Sequence, residues 1–594
     1  MYGIRFVKIR RKIMETQLEE KMKPDGWKAL FRTIKNLCLP WLWIIIGLAL
    51  NIVVNSLLLD LPDTTADLLG GKLTGAALTK AIMYYVTFGV LSFVASVGQV
   101  QAQSYSVRKA RESIWKKMLG IKMEYFDEND PSDLMSTITN DSEAAIQDFV
   151  NILVNLIPDV YYVVMALFKI NKYHPILTLS CFALIPLKYI YAWVMGRQFQ
   201  ISSARLYGKI GVLTGFLADR INHLPLIKTY TNEIKEGENG KEAAHKLMKA
   251  NMKIVHLDNI SLTITSVLDI LQKFVVVVVA VILLQQGKID IKMWLAFFLF
   301  AQNLFPNMDE IFDLWTRIKG VHGTFQRIID VMDGPEEKDD ITNSFSKTGD
   351  IKFENITFTY PMSESPAINN VSFSIKRGSS VAIVGLCGSG KTTTVSLLER
   401  FYNPRKGRIV IGDTDIRDIS LRDFRKHIAY VQQGACIFGG TLREALTYGI
   451  ERKINDPEIL EAAEKTGFID YINLCENGLD AEVACGGDSM SGGQSQRLVI
   501  TREVLRGGDI IIMDEPTSAL DVRVSVKIQE TMDKVFADKT KILITHDLSY
   551  AKRYNRILVM ADGKLVGDGK HEDLLKTCEV YRKMNENAEK EAAK

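Results

Sequence analysis

The sequence predicts a membrane α-helical domain of six transmembrane helices followed by an α/β P-loop domain. Three observations predict it. Long apolar stretches are confined to residues 1 to about 320, and the remainder reads as an ordinary soluble α/β domain. Gly385-Leu386-Cys387-Gly388-Ser389-Gly390-Lys391-Thr392 fits the phosphate-binding pattern G-x-x-x-x-G-K-[ST]. Downstream, in order, come Ser491-Gly492-Gly493-Gln494, an apolar run closed by Asp514-Glu515, then Ser518-Ala519-Leu520-Asp521, and finally His546. One glycine-rich loop arises by chance in any protein; the ordered set does not.

At 594 residues the chain is too long for one core. The expected division is an N-terminal segment (1–38), a transmembrane domain (39–330), a linker (331–350), a nucleotide-binding domain (351–580) and a charged C-terminal tail (581–594). Hydrophobic residues make up 47% and charged residues 24%, an average that hides the segregation. A net charge of +3 gives no electrostatic argument for a nucleic-acid partner. Cys38, Cys181, Cys387, Cys436, Cys475, Cys485 and Cys578 show no paired spacing, and five lie in the soluble half, so reduced thiols are expected. The N-terminus is basic (Arg5, Lys8, Arg10, Arg11, Lys12) but is followed by acidic and polar residues, which argues against a cleaved signal peptide.

A bilayer core about 30 Å thick needs roughly 20 apolar helical residues. Six stretches qualify: about 39–60, 79–102, 145–169, 174–196, 260–285 and 291–313. Linkers on one side are short and lightly charged, such as Asn171-Lys172-Tyr173-His174 and Gln286-Gly287-Lys288; the first of them carries Asp60, Asp63 and Asp67. Those on the other side are long and basic. One holds Arg108, Lys109, Arg111, Lys116, Lys117 and Lys122, and another Arg197, Arg205, Lys209, Arg220, Lys228 and Lys235. The positive-inside rule puts these linkers and both termini in the cytosol. Residues 103–123 and 197–222 are poor in proline and mix apolar with charged positions, so the spans are expected to continue as helices beyond the membrane.

In the soluble half, Val381-Ala382-Ile383-Val384 reads as a buried strand entering the glycine loop, and Thr392 to Arg400 as the helix leaving it. Glycines such as Gly385, Gly388 and Gly390 let backbone N–H groups turn inward around phosphate, with Ser389 and Thr393 in the same cradle. Lys391 is expected to reach the β- and γ-phosphates of ATP and Thr392 to ligate Mg²⁺. Asp514, at the end of Ile510-Ile511-Ile512-Met513, suits a Mg²⁺ contact through water, and Glu515 suits polarisation of the attacking water. His546 follows the apolar run Ile542-Leu543-Ile544-Thr545, again at a strand end.

Together these motifs resemble the nucleotide-binding domain of ATP-binding cassette (ABC) transporters, and the whole chain resembles an exporter-type half-transporter. The resemblance implies ATP and Mg²⁺ as cofactors, and a second half-transporter (the same chain or a sister) as partner. It implies that Tyr360, closing Phe358-Thr359-Tyr360, stacks on adenine, and that His546 contacts the γ-phosphate. Gln433 aligns with the glutamine that joins Mg²⁺ and water to the coupling helices; Gln432 is adjacent, and spacing to Phe438 and Thr441 favours Gln433. Ser491, Gly492, Gly493 and Gln494 open a helix and would serve the ATP bound by the opposite subunit, with Asp521 also at the nucleotide. Two departures stand out. Val483-Ala484-Cys485 replaces the common Val-Gly-Glu, and Gly434-Ala435 replaces a frequent Asp-Pro.

The same resemblance expects short coupling helices in the long linkers. Phe126-Asp127 with Asp133-Leu134-Met135-Ser136 and Asn140-Asp141 matches the first, and Leu224-Pro225-Leu226-Ile227-Lys228-Thr229-Tyr230 the second; ordinary turns are the alternative. Ionisable residues inside spans mark a pathway or pair structurally. Asp159 beside Pro158, Lys188, and Asp269 with Lys273 four residues on are candidates, as are Asp309 and Asp313, with Arg317 offering a partner and Pro306 a kink. The leading reading is an ATP-driven exporter of an amphipathic small molecule, lipid or peptide in a bacterial-type plasma membrane. An importer on the same fold, for example of metal chelates, and an ATP-gated channel or regulator remain the alternatives; an intact Glu515 argues for turnover.

Overall fold

The computed structural model describes residues 26–70, 75–337, 339, 341, 343–345, 349–487, 490–518 and 520–592. The basic stretch 5–12 lies outside them. The chain folds into two compact units. The first holds residues up to Leu119 together with Leu134–Asp333, and the second holds Gly120–Asp133 together with the chain from Gly334 onward.

The first unit is helical. Its elements are α1 (Gly26–Asn36), α2 (Trp41–Gly70), α3 (Gly75–Leu119), then, past the short α4 (Met123–Glu128) and α5 (Pro131–Ser136), α6 (Ser142–Tyr173), α7 (Pro175–Cys181), α8 (Ile185–Asn222), α9 (Leu224–Thr229), α10 (Glu233–Gln285) and α11 (Ile291–Met332). Valine-rich sequence such as Val275–Val279 favours strands in water. In a bilayer each segment must satisfy its own backbone, and the same residues run as helix. Phe93, Trp193, Ile270 and Phe274 are more than half exposed, as lipid-facing side chains are. The 53 residues of α10 span about 80 Å at helical rise, far more than a bilayer core. Of the two segments expected to be short helices or turns, the first falls on α4, α5 and a π-helical turn at Thr137–Asp141, and the second on α9.

Among the described residues five helices are long and apolar enough to cross a membrane: Trp41–Leu68, Leu78–Leu119, Asp133–Tyr173, Pro175–Gly196 and Glu233–Gln285. The expected sixth stretch, 291–313, lies on α11, where Gln302, Asn303 and Asn307 dilute the apolar run. The fourth span is broken between Cys181 and Ile185, with Pro186 in the first turn of α8. Gln272 of α10, buried, mends the break. Its amide donates to the carbonyls of Ser180 (2.9 Å) and Cys181 (3.2 Å) and accepts from the Leu184 N–H (3.1 Å). Asp269 does not pair with Lys273 along its own helix. It takes Lys188 of α8 at 2.5 Å, and Asp309 of α11 takes the same ammonium at 2.9 Å. The side chains of Asp313 and Arg317 lie outside the described set. Asp159 is buried with one carboxylate oxygen unpartnered.

The second unit is the α/β fold. A four-stranded antiparallel sheet has the order β2 (Ile368–Ile375), β1 (Ile351–Phe358), β4 (Lys406–Ile411), β5 (Thr414–Asp415). A six-stranded sheet has the order β12 (Lys564–Gly569), β11 (Arg556–Ala561), β3 (Ser380–Val384), β10 (Thr540–Ile544), β9 (Ile510–Asp514), β6 (Ile428–Val431), parallel except for β12, while β7 (Gly440–Thr441) and β8 (Glu482–Val483) form a separate antiparallel pair. All five residues of β9 and of β10 are buried, which is the signature of a parallel sheet covered on both faces. The helices that matter for the site are α12 (Lys391–Leu398) and α13 (Leu421–Lys426), then, in a helical region that also contains α14 (Leu442–Thr447), α15 (Asp456–Thr466) and α16 (Ile469–Leu474), α17 (Gly492–Arg506). They are followed by α18 (Val522–Val535). The expected C-terminal tail is mostly helix, Glu579–Ala592.

Candidate nucleotide-binding site

Parallel register brings the strand ends level. Asp514 of β9 lies opposite Ile544 of β10, and Ile544 lies opposite Ile383 of β3. Gly385, Glu515 and His546, which follow these strands, therefore emerge at one edge, the carboxyl edge where open parallel sheets bind ligands.

The loop between β3 and α12 is shaped by its glycines. Gly390 caps α12 with φ 99°, and a Cβ there would come within 2.7 Å of the Ala367 carbonyl. A Cβ on Gly385 would strike the Ser389 hydroxyl and the Met560 carbonyl. Gly388 also has positive φ. Lys391, buried, folds back so that Nζ donates to the carbonyls of Gly385 (2.9 Å) and Leu386 (3.2 Å). Ser389 Oγ is buried beside it without a partner. An ammonium, an unsatisfied hydroxyl and a helix N-terminus converging on one loop fit an oxyanion.

Asp514 is buried at its strand end and accepts from the Tyr430 hydroxyl at 3.3 Å. Burial is the main cause pushing its carboxyl up; Tyr430 pulls it down, Glu515 pushes it up again, and Thr392 and Lys391 oppose. Glu515 itself stands at φ 45°, a left-handed value uncommon outside glycine, with its N–H held by the Ile544 carbonyl (2.9 Å). Its two carboxylate oxygens are both engaged. Gln433 Nε2 donates to one at 3.0 Å, and His546 Nδ1 lies 3.3 Å from the other. The three residues singled out for catalysis thus meet at one carboxylate, and it is Gln433, not Gln432, whose amide reaches it.

Tyr360 shares a 3.1 Å hydrogen bond with Thr393 Oγ1 and meets Tyr402 edge-on, ring centroids 5.2 Å apart. The Ser491–Gln494 tetrapeptide closes on itself. Ser491 Oγ accepts from the Gln494 N–H (3.4 Å), and Gln494 Oε1 accepts from the Ser491 N–H (2.8 Å), a reciprocal capping box that starts α17. A Cβ on Gly492 would meet Leu520 at 3.0 Å, and one on Gly493 would meet Val524 at 2.8 Å. Gly493 thus also lets α17 pack against α18, and Gly492 makes room for Leu520 just before that helix. Asp521 caps α18 by accepting from the Val524 N–H at 3.1 Å. A cleft beside Glu515 is lined by Gly434, Gly487, Met490, Gly492, Ser495 and Ser518. Gly434, where Asp-Pro is frequent, has φ 77°, which glycine adopts without strain.

Some contacts were missed by sequence reasoning. Tyr430 sits one strand from Asp514, and no motif in the sequence singles it out. Tyr402 donates to Asp127 of α4 at 2.8 Å, a pairing across 275 residues that no local pattern announces. Glu399, at the end of α12, is buried with Oε2 unpartnered, and burial pushes it up to about 8 against the pull of Arg425.

A phosphate-loop ATPase unit joined to a bundle of membrane-length helices is a membrane pump, and the chain is an integral membrane protein. The comparisons define it further. Residues 368–518 match the ABC transporter family and residues 35–308 its ABC transporter transmembrane region. The chain is 30% identical to the ATP-dependent lipid A-core flippase of Thiobacillus denitrificans, covering 83% of this chain and 85% of that one. It is 28% identical to proteins of the same name from Haemophilus ducreyi (94% and 97% covered) and Escherichia coli (91% and 94%). Its fold matches a bacterial Atm1-family ABC exporter with ATP bound, with a TM-score of 0.81 at 22% identity over 92% of this chain and 97% of that one. The chain belongs to the ABC transporters. It has the exporter-type fold of a half-transporter, with transmembrane and nucleotide-binding regions fused in one ATP-driven membrane protein.

Proposed function

We propose that this half-transporter exports a lipid, with an amphipathic lipid-class molecule moved across a bacterial plasma membrane. The observation that carries the reading is near full-length similarity to relatives named as lipid A-core flippases. On this reading residues 39–330, with α11 as the sixth span, form the transport domain. Residues 331–350 link it to a cassette at 351–580, residues 581–594 are a charged tail, and the cassette and both termini face the cytosol. The basic linkers support that orientation.

At the site, Lys391 and the N–H groups of Gly388, Ser389 and Gly390 would hold the phosphates, and Tyr360 the adenine face. Thr392, Asp514 and Gln433 offer a hydroxyl, a carboxylate and an amide oxygen, the hard donors that suit Mg²⁺ beside phosphate. Bound there, Mg²⁺ would neutralise charge on the β- and γ-phosphates. Glu515 polarises the attacking water with His546 beside it. Gln433 and His546 each sit at one oxygen of Glu515, which orients the carboxylate and still leaves lone pairs free to accept from a water. Ser491, Gly492, Gly493, Gln494 and Asp521 serve the nucleotide of the partner half.

The test is ATP-dependent movement of a fluorescent lipid in proteoliposomes, wild type against Glu515→Gln. The variant is expected to bind ATP and to lose roughly 100-fold or more of hydrolysis, with lipid movement lost in parallel. Wild-type hydrolysis with no lipid movement would sink the lipid reading, and full activity in Glu515→Gln would sink the catalytic one.

A further inference from the structure

The chain passes between its two units at Leu119–Gly120, Asp133–Leu134 and Asp333–Gly334. Two of these crossings are tied together. Ile121 and Glu336 form an isolated antiparallel bridge, flanked by hydrogen bonds from the Lys122 N–H to the Pro335 carbonyl (2.9 Å) and from the Glu337 N–H to the Gly120 carbonyl (2.8 Å). Gly120 follows the last residue of α3, and Pro335 lies three residues past the end of α11. A short pairing of this kind is weak alone. Here it is clamped.

The clamp is Arg425 of α13. Its guanidinium donates to both oxygens of Glu337, at 2.9 and 3.0 Å, with both side chains largely shielded. Such bidentate pairs are the geometrically specific ion pairs. The same guanidinium reaches the backbone carbonyls of Arg400 (3.1 Å) and Glu399 (3.3 Å), the free end of α12, and lies over the Phe401 ring. The opposite end of α12 is the phosphate cradle. The linker is stitched to α13 further on: Asp339 accepts from the N–H groups of Leu421 (2.6 Å) and Arg422 (3.2 Å), and the Phe345 N–H donates to Asp423 at 2.6 Å.

We propose that the paired segments 120–122 and 335–337, held to the phosphate-loop helix by Arg425, are a rigid joint through which the ATP site drives the membrane helices α3 and α11 together. Arg425 and Glu337 are positioning residues in this scheme, since neither touches nucleotide. The joint rests on ATP-driven transport and is independent of the cargo.

The experiment uses the full chain in nanodiscs. Hydrogen exchange of the 286–290 connection is measured with and without Mg·ATP and vanadate, beside ATPase rate. Wild type is expected to change its exchange on trapping. Arg425→Ala and Glu337→Ala should each keep ATPase within about 2-fold and lose about 10-fold of that response, and the double variant should lose about 10-fold, not 100-fold, as two halves of one contact do. Arg425→Lys, which keeps the charge but not the fork, should recover part of it. A disulfide across Ile121→Cys and Glu336→Cys should leave the response intact, because a rigid joint does not open. An unchanged response in Arg425→Ala, multiplying losses in the double variant, loss of ATPase in the single variants, or a response abolished by the disulfide would each overturn the proposal. Loss of the wild-type response as well would count against ATP-driven movement itself.

Discussion

Lys188 of the membrane unit and Glu399 of the ATPase unit meet burial in different ways. In the membrane unit, Lys188 is shared between Asp269 and Asp309, so one ammonium ties three helices, α8, α10 and α11. In the ATPase unit, Glu399 is buried with an unpartnered oxygen among Arg425, Asp514, Arg506 and Glu503. The first arrangement satisfies charge by bringing distant segments together. The second leaves a carboxyl short of partners beside the ATP site. The lesson is that burial does not settle a carboxyl by itself: at Lys188 helices far apart in sequence supply the partners, whereas Glu399, like Asp159 of the membrane unit, keeps one oxygen without a partner.

Removing Lys188 is the largest test of that contrast. Lys188→Ala takes a shielded ammonium from two partly exposed carboxylates, which costs up to about 3 kcal/mol, the low end for breaking a fully buried pair from one side. The thermal midpoint in detergent should fall by more than any other single change described here. Lys188→Met combined with Asp269→Asn and Asp309→Asn should recover most of the loss, because neither carboxylate is left facing a missing ammonium. If the triple variant is no better than Lys188→Ala, the cluster is not a structural tie.

How much of this was legible differs between the units for the same reason. The phosphate loop, the Ser491 capping box and the Asp514-Glu515 strand end are contiguous, and each sets its own local backbone, so spacing alone located them. The approach of Glu515 and His546 needed only the parallel register of strands that the apolar runs mark, whereas Gln433, after a strand that no such run marks, came from the family resemblance. Lys188, by contrast, finds its partners 81 and 121 residues away. Helical spacing suggested Lys273 for Asp269 because it scores neighbours on one helix and is blind to neighbours on another. Gln272, one residue from Lys273, mends a helix break 88 to 92 residues away in the chain. The joint at 120–122 and 335–337 was invisible for the same reason.

Glu399 supplies a smaller test with a definite sign. Its carboxyl is raised from an ordinary 4.5 to about 8, chiefly by burial, so the folded state holds a proton that the unfolded state has released. Its stabilising contribution is therefore full below about pH 4.5 and is lost as pH rises towards about 8. Between pH 6 and 9 wild type should lose about 2 kcal/mol more stability than Glu399→Gln, which has nothing to titrate. Equal pH slopes for the two proteins would mean that Glu399 is ionised in the folded chain.

The smallest effect concerns α17. Gly493→Ala places a Cβ 2.8 Å from Val524 of α18, so one of the two helices must shift by several tenths of an ångström. Overpacking costs about 1–3 kcal/mol, and alanine returns up to about 1 kcal/mol by favouring helix, leaving a net loss of about 1 kcal/mol. Thermal unfolding should register that loss, and Val524→Ala in the same chain should cancel it by clearing the space. Ser491→Ala tests the other half of the motif and should also cost about 1 kcal/mol through the lost cap. The two variants separate packing from phosphate recognition. If Gly493→Ala with Val524→Ala restores stability but not ATPase, the glycine serves the partner's nucleotide as well as the helix contact. If both return together, helix packing alone accounts for glycine at that position.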